Sequence, residues 1–121
     1  MADQAQTVLV VDGEEKIADL VSACLAQSGY RALKASTGSE ALQLARDGEA
    51  PALLIASLDT TDMSGIQLCA KFAVLYPRTR ILFLAEGAKY PGSEVWPFPF
   101  IPKPFEVGAL RQRVAQVLGP R

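Results

Sequence analysis

The chain contains no histidine. That absence removes Ser-His-Asp catalysis, zinc held through imidazole and any role as a histidine phosphodonor, since each needs a ring nitrogen as base, ligand or nucleophile. Cysteine is scarce: Cys24 and Cys69 lie far apart and form no Cys-x-x-Cys pair, so they read as core thiols on helix stripes rather than as a redox couple. A marked excess of one charge sign is missing too, with 12 basic residues against 13 acidic and a formal net charge of -1. No electrostatic footprint for nucleic acid or an anionic membrane is present. No apolar run approaches the ~20 residues that cross a bilayer, and residues 1–6 have neither the basic nor the apolar part of an export signal. The expectation is a cytoplasmic protein with no direct nucleic-acid or membrane contact. A glycine-rich phosphate loop is also lacking: the first apolar run ends in Asp12-Gly-Glu-Glu15, which repels phosphate and argues against a nucleotide-binding enzyme.

What is present is an alternation of short apolar runs and amphipathic segments. At 121 residues the chain fits one domain, read as 7–118 between an N-terminal tail, 1–6, and a C-terminal tail, 119–121. Thr7–Asp12, Ala52–Ser57 and Arg80–Ala85 are nearly continuous apolar runs, the pattern of parallel strands covered on both faces. Arg31–Ala35 is more polar and Phe98-Pro-Phe-Ile101 carries a proline, so both suit sheet edges. In 14–28 the residues Ile17, Leu20, Val21, Cys24 and Leu25 recur at helical spacing before Gly29. Helices over 38–47 and 65–76 open on Thr37-Gly-Ser-Glu40 and Ser64-Gly-Ile-Gln67, both read as capping boxes. A last helix over about 106–118 aligns Val107, Leu110, Val114, Val117 and Leu118.

Because strand–helix–strand crossovers are right-handed, this alternation predicts a flavodoxin-like, doubly wound five-stranded parallel sheet of order 2-1-3-4-5. Such sheets bind ligands beyond the strand C-termini, where Asp12, Ser57, Ala85 and Lys103 are expected to converge.

Val8-Leu-Val-Val-Asp12, Pro51-Ala-Leu-Leu-Ile-Ala-Ser57, Asp62-Met-Ser-Gly65 and Pro102-Lys103-Pro104-Phe105 occur in an order that resembles the receiver domain of two-component response regulators, over residues 7–118. The resemblance implies a carboxylate at the end of the third strand that accepts a phosphoryl group from a histidine kinase. It further implies Mg²⁺ held by that carboxylate and an acidic residue after the first strand, and a lysine and a hydroxyl that read the phosphate. Asp12 and Lys103 match; the second acidic position is Gly13, the acceptor position is Ser57, and the hydroxyl position is Ala85. The switch aromatic corresponds to Phe100, which has no hydroxyl to donate.

The reading is therefore an atypical receiver, a pseudo-receiver, working as a phosphorylation-independent protein-interaction module and not as an enzyme. Its partner would be a histidine kinase or an effector of a bacterial pathway. Homodimerisation through the last helix is an option that the resemblance offers and leaves open. Ser57 has no histidine to activate it and reads as a small polar filler. The alternative is a relocated acceptor at Asp59, two residues on. No metal site is assigned; Asp12, Asp59 and Glu14 are weak Mg²⁺ candidates against the blander reading of a solvated acidic cluster. Lys103 reads either as a relic phosphate reader or as the counter-ion of Asp12, and the second fits the charge balance better. The resemblance also suggests a cis Lys103-Pro104 bond.

Between strands four and five, Gly87, Pro91, Gly92, Pro97 and Pro99 interrupt any long helix where the family places its fourth, predicting a shortened or irregular segment. Trp96 and Phe98 are candidates for an interface there, whereas Phe100 and Phe105 read as core cover.

Overall fold

The computed structural model describes residues 6–57, 62–86 and 99–119, with Glu86 by its backbone alone. Five strands, β1 (Thr7–Val11), β2 (Arg31–Ala35), β3 (Leu53–Ser57), β4 (Arg80–Glu86) and β5 (Phe100–Lys103), form one sheet of order β2-β1-β3-β4-β5. Every neighbouring pair is parallel, with Val10 beside Ile55 and Ile55 beside Leu82 across the centre. The described helices are α1 (Glu15–Gln27), α2 (Gly38–Asp47), α3 (Gly65–Leu75) and α4 (Val107–Leu118).

Strand side chains alternate between two apolar layers, as a pleated backbone requires. Val8, Val10, Leu53, Ile55, Leu82 and Leu84 face α1 and α4, meeting Val21, Leu25, Leu110 and Val114. Leu9, Val11, Leu54, Ala56, Phe83 and Ala85 face α2 and α3, meeting Ala41, Leu68 and Phe72. Both faces of the central strands are covered, which is why their sequences read as unbroken apolar runs. Cys24 and Cys69 are buried free thiols in opposite layers, and burial pushes the Cys69 thiol up to about 12. Phe100 and Phe105 each pack against a layer.

Several local expectations change. The fifth strand starts at Phe100 and runs to Lys103, two residues beyond the 98–101 expected. Pro99 precedes it, and its carbonyl accepts the Phe83 N–H at 2.9 Å. Leu20 is 44% exposed, because the buried arc of α1 centres on Ala18, Val21, Cys24 and Leu25 and leaves Leu20 at its margin. Ser64 and Gln67 make a complete capping box. At α2, Thr37 Oγ1 accepts the Glu40 N–H, but Glu40 Oε1 reaches one residue further back, to the Ser36 N–H at 2.9 Å. Gly29, with φ 94°, ends α1 in the left-handed region that glycine tolerates. The 87–98 segment, expected as a shortened or irregular helix, lies outside the described residues.

Leu54 lies in the central strand β3 and is fully buried beneath α2 and α3. Leu54→Ala is expected to lower stability by about 3 kcal/mol, the typical loss for a leucine that leaves a cavity. Urea denaturation at unchanged m-value checks this.

Candidate functional site

The order of the strands reverses between β1 and β3, where the chain leaves β1 to one side for β2 and later returns on the other for β3. A crevice opens at that switch point beyond the strand C-termini. Asp12 immediately follows β1, Ser57 ends β3 and Lys103 ends β5. The structure brings these three together. Lys103 Nζ donates to Asp12 Oδ2 at 2.9 Å and to Ser57 Oγ at 3.0 Å. Asp12 and Ser57 are both 0% exposed, and the Lys103 side chain is 9% exposed. The other oxygen of Asp12, Oδ1, accepts the Glu14 N–H at 2.9 Å, an Asx-type turn that leads into α1. The Asp12 N–H donates to the Ala35 carbonyl at 3.2 Å, extending the β1 ladder by one bond. The Lys103-Pro104 peptide bond is cis.

A carboxylate at the end of a central strand must be satisfied there, since burying an unpaired charge costs several kcal/mol. Each Asp12 oxygen has a donor, and the ammonium that serves one of them also engages the serine hydroxyl. The arrangement is a buried ion pair, one carboxylate to one ammonium, closed by a neutral hydroxyl.

The remaining candidates fall around this pair in different ways. Gly13 is exposed at the turn and offers no side chain. Glu14 contributes its backbone N–H while its side chain is exposed. Ala85 is 1% exposed and belongs to the α2/α3 layer, so it fills space without offering a hydroxyl. Phe100 is partly buried against the same layer, and its carbonyl accepts from Arg113 Nη2 at 3.3 Å. Asp59, Trp96 and Phe98 lie outside the described residues.

The Mg²⁺ that the resemblance implies does not fit the donors described here. Both oxygens of Asp12 accept from the chain's own donors, Gly13 supplies none, and the hydroxyl of Ser57 is bonded to the ammonium. Among the described residues no three His, Cys, Asp or Glu side chains gather where they could hold a metal ion. A groove that Asp12 and Gly13 share with Glu15, Asp19, Lys34 and Glu40 opens beside them, and within it Lys34 pairs with Asp19 at 2.5 Å.

Asp62 has a role that sequence reasoning missed. Its Oδ1 accepts the Gly38 N–H at 2.8 Å and its Oδ2 the Ser39 N–H at 2.9 Å, while the Ser39 hydroxyl also donates to Oδ2. The residue entering α3 thereby caps the orphan amides of α2. The Ser39 hydroxyl first, and the two backbone amides with it, hold the Asp62 carboxyl down at about 2. Met63 follows, close over the start of α2: a Cβ on Gly38 would lie 2.6 Å from Met63 Cγ and Sδ. Local spacing carries no signal for this cap, because the partners are 23 and 24 residues apart.

Comparison with known proteins agrees with this architecture. The response regulator receiver domain family matches residues 8–115. The chain is 30% identical over 119 residues to the transcriptional regulatory protein CreB of Escherichia coli, covering 95% of this chain and 52% of that protein. It is 33% identical over 115 residues to the alkaline phosphatase synthesis transcriptional regulatory protein PhoP of Bacillus subtilis, covering 92% and 48%. The chain thus spans about half the length of these curated relatives. Among solved structures, the chemotaxis response regulator CheY4 of Vibrio cholerae superimposes with a TM-score of 0.84 at 27% identity, over 94% of this chain and 99% of that one.

Two expectations follow from the geometry. Lys103→Met strands the buried Asp12 carboxylate and is expected to cost about 3–5 kcal/mol, and Asp12→Asn added to it to recover much of the loss; a double-mutant cycle by denaturant unfolding measures both. Asp62 stabilises the fold because its native carboxyl, at about 2, lies below its ordinary 3.8. That contribution is complete above the ordinary value and fades as pH falls toward the native one. Asp62→Ala should therefore lower the thermal midpoint at pH 7, with the gap to the parent narrowing as pH falls from 3.8 toward about 2.

Proposed function

The chain belongs to the response regulator receiver domain family, and on that premise we propose that it is a pseudo-receiver, a protein-interaction module whose signalling state does not depend on phosphorylation. The observation that carries this reading is the Lys103 ammonium held between Asp12 Oδ2 and Ser57 Oγ inside the crevice. A receiver switches when a covalent phosphate interacts differently with two conformations and so shifts their populations. Here the position expected to take the phosphate is a serine, and the lysine expected to read it is already bonded to Asp12 and Ser57. No histidine stands in the chain to activate a hydroxyl. With no phosphate bound, no differential free energy arises, and one conformation persists.

The partner in this proposal is a protein of a bacterial two-component pathway, a histidine kinase or an effector, met in the cytoplasm. No described helix is long and apolar enough to cross a membrane. The curated relatives CreB and PhoP are transcriptional regulatory proteins about twice as long as this chain, so an effector acting beside this domain is a partner in keeping with them. The module offers its surface rather than a reaction.

Intact mass after incubation with acetyl phosphate and Mg²⁺, run beside an ordinary receiver, is the direct test. No phosphoryl gain is expected under conditions that label the control. One stoichiometric gain that disappears in Asp59→Asn would instead establish a relocated acceptor and overturn the proposal. Ser57→Ala, which removes one of the hydrogen bonds of Lys103 and leaves the ion pair, should bind the partner as the parent does; loss of binding in a folded variant would count against the proposal equally.

A further inference from the structure

We infer that the crevice carries its own cation: the Lys103 ammonium is the resident counter-ion of Asp12, in the place where the family resemblance implies a divalent metal, and the crevice takes up no Mg²⁺. The inference rests on the reading of this crevice as one that accepts no phosphoryl group, and extends it from the anion to the cation.

Mg²⁺ demands near-octahedral oxygen ligands at about 2.0–2.1 Å and gives up its waters reluctantly, so it binds where carboxylates are free to replace them. The donors here are committed. Asp12 Oδ1 accepts from the Glu14 N–H and Oδ2 from Lys103 Nζ, each at 2.9 Å. The only other side-chain oxygen described in the triad, Ser57 Oγ, is neutral and lies 3.0 Å from the same ammonium. A divalent ion approaching these oxygens meets a positive charge within hydrogen-bond distance of both, in a site whose burial weakens screening. Asp12 and Ser57 are 0% exposed, so an ion would have to shed waters to reach their oxygens. Gly13 adds no carboxylate at the mouth. The charge count within the triad points the same way: of Asp12, Ser57 and Lys103, one carboxylate and one ammonium balance.

That count makes the inference testable by changing it. Ser57→Asp adds a carboxylate, and Lys103→Met removes the ammonium; either change leaves one negative charge uncompensated. The experiment uses the full chain without any phosphodonor. Mn²⁺ serves as a paramagnetic probe of the amide signals of Asp12, Gly13, Glu14 and Ser57, and Mg²⁺ is titrated against the thermal midpoint. In the parent protein those amides are expected to broaden no more than other exposed regions, and the midpoint to stay flat into the tens of millimolar. In Ser57→Asp, and in Lys103→Met where it folds, Mg²⁺ about tenfold above its dissociation constant should raise the midpoint by roughly 5 °C. Saturable, selective broadening at the four amides of the parent would overturn the inference. So would a folded Ser57→Asp that shows no response to Mg²⁺. Phosphoryl gain in the mass experiment would overturn the underlying reading of the crevice, whereas Mn²⁺ entry without phosphoryl gain would overturn the built-in cation alone.

Discussion

The bond between Lys103 and Asp12 joins residues 91 apart in the chain, and the rest of the structure must be in place before it can form. Asp12 stands at the end of a strand with neighbours on both sides and an apolar layer on each face, so its carboxylate is buried whether or not a partner arrives. Lys103 ends an edge strand reached only after the chain has laid down β2, β3 and β4. A correct register in every intervening pair delivers the ammonium to the carboxylate; a slip by one residue turns each strand's side chains to the opposite face. The pair therefore acts as a condition on the sheet, unfavourable to bury when unmet and close to neutral when satisfied.

Much of the frame was legible because burial on both faces writes itself as uninterrupted apolar sequence. Val8–Val11, Leu53–Ala56 and Ile81–Ala85 needed no alternation to be read as strands, and Arg31–Ala35 betrayed its edge position through its arginine and lysine. Asp12, Ser57 and Lys103 were legible as a group for the same reason: each follows or ends a strand, and parallel strands finish on one side. What escaped depends on distances that one-dimensional spacing does not encode. Phe98-Pro-Phe-Ile101 alternates equally well in two registers, and only the Pro99 carbonyl bonded to the Phe83 N–H places the strand start at Phe100. Leu20 has the right residue type but sits at the edge of its helical arc. Asp62 stood in view within Asp62-Met-Ser-Gly65, yet its partners belong to another helix.

That cap has a consequence for the crevice. Asp62 and Met63 fasten the lead-in to α3 onto the first turn of α2, and both helices cover the same layer that holds Ala85 and Phe100. The elements around the switch point are thus tied by charge-assisted hydrogen bonds on one side of the sheet and by the Lys103 pair at its end. A region in which loops are held at two independent points has fewer alternative arrangements close in energy, and a two-state switch needs such alternatives.

The substitutions at the crevice share one physical direction. Gly13 in place of an acidic residue, Ser57 in place of a carboxylate and Ala85 in place of a hydroxyl each remove a group that handles a metal or a phosphate, judged against the family resemblance. Ala85 is packed into its layer, and Ser57 is fully buried against the ammonium. Asp12 and Lys103 differ from these positions, since either alone is a costly buried orphan once its partner is removed. Their joint retention follows from their dependence on each other. On the proposed reading the pair is kept by folding, whatever chemistry the crevice performs. On the proposed reading, what remains is a rigid receiver-shaped surface with a neutralised centre.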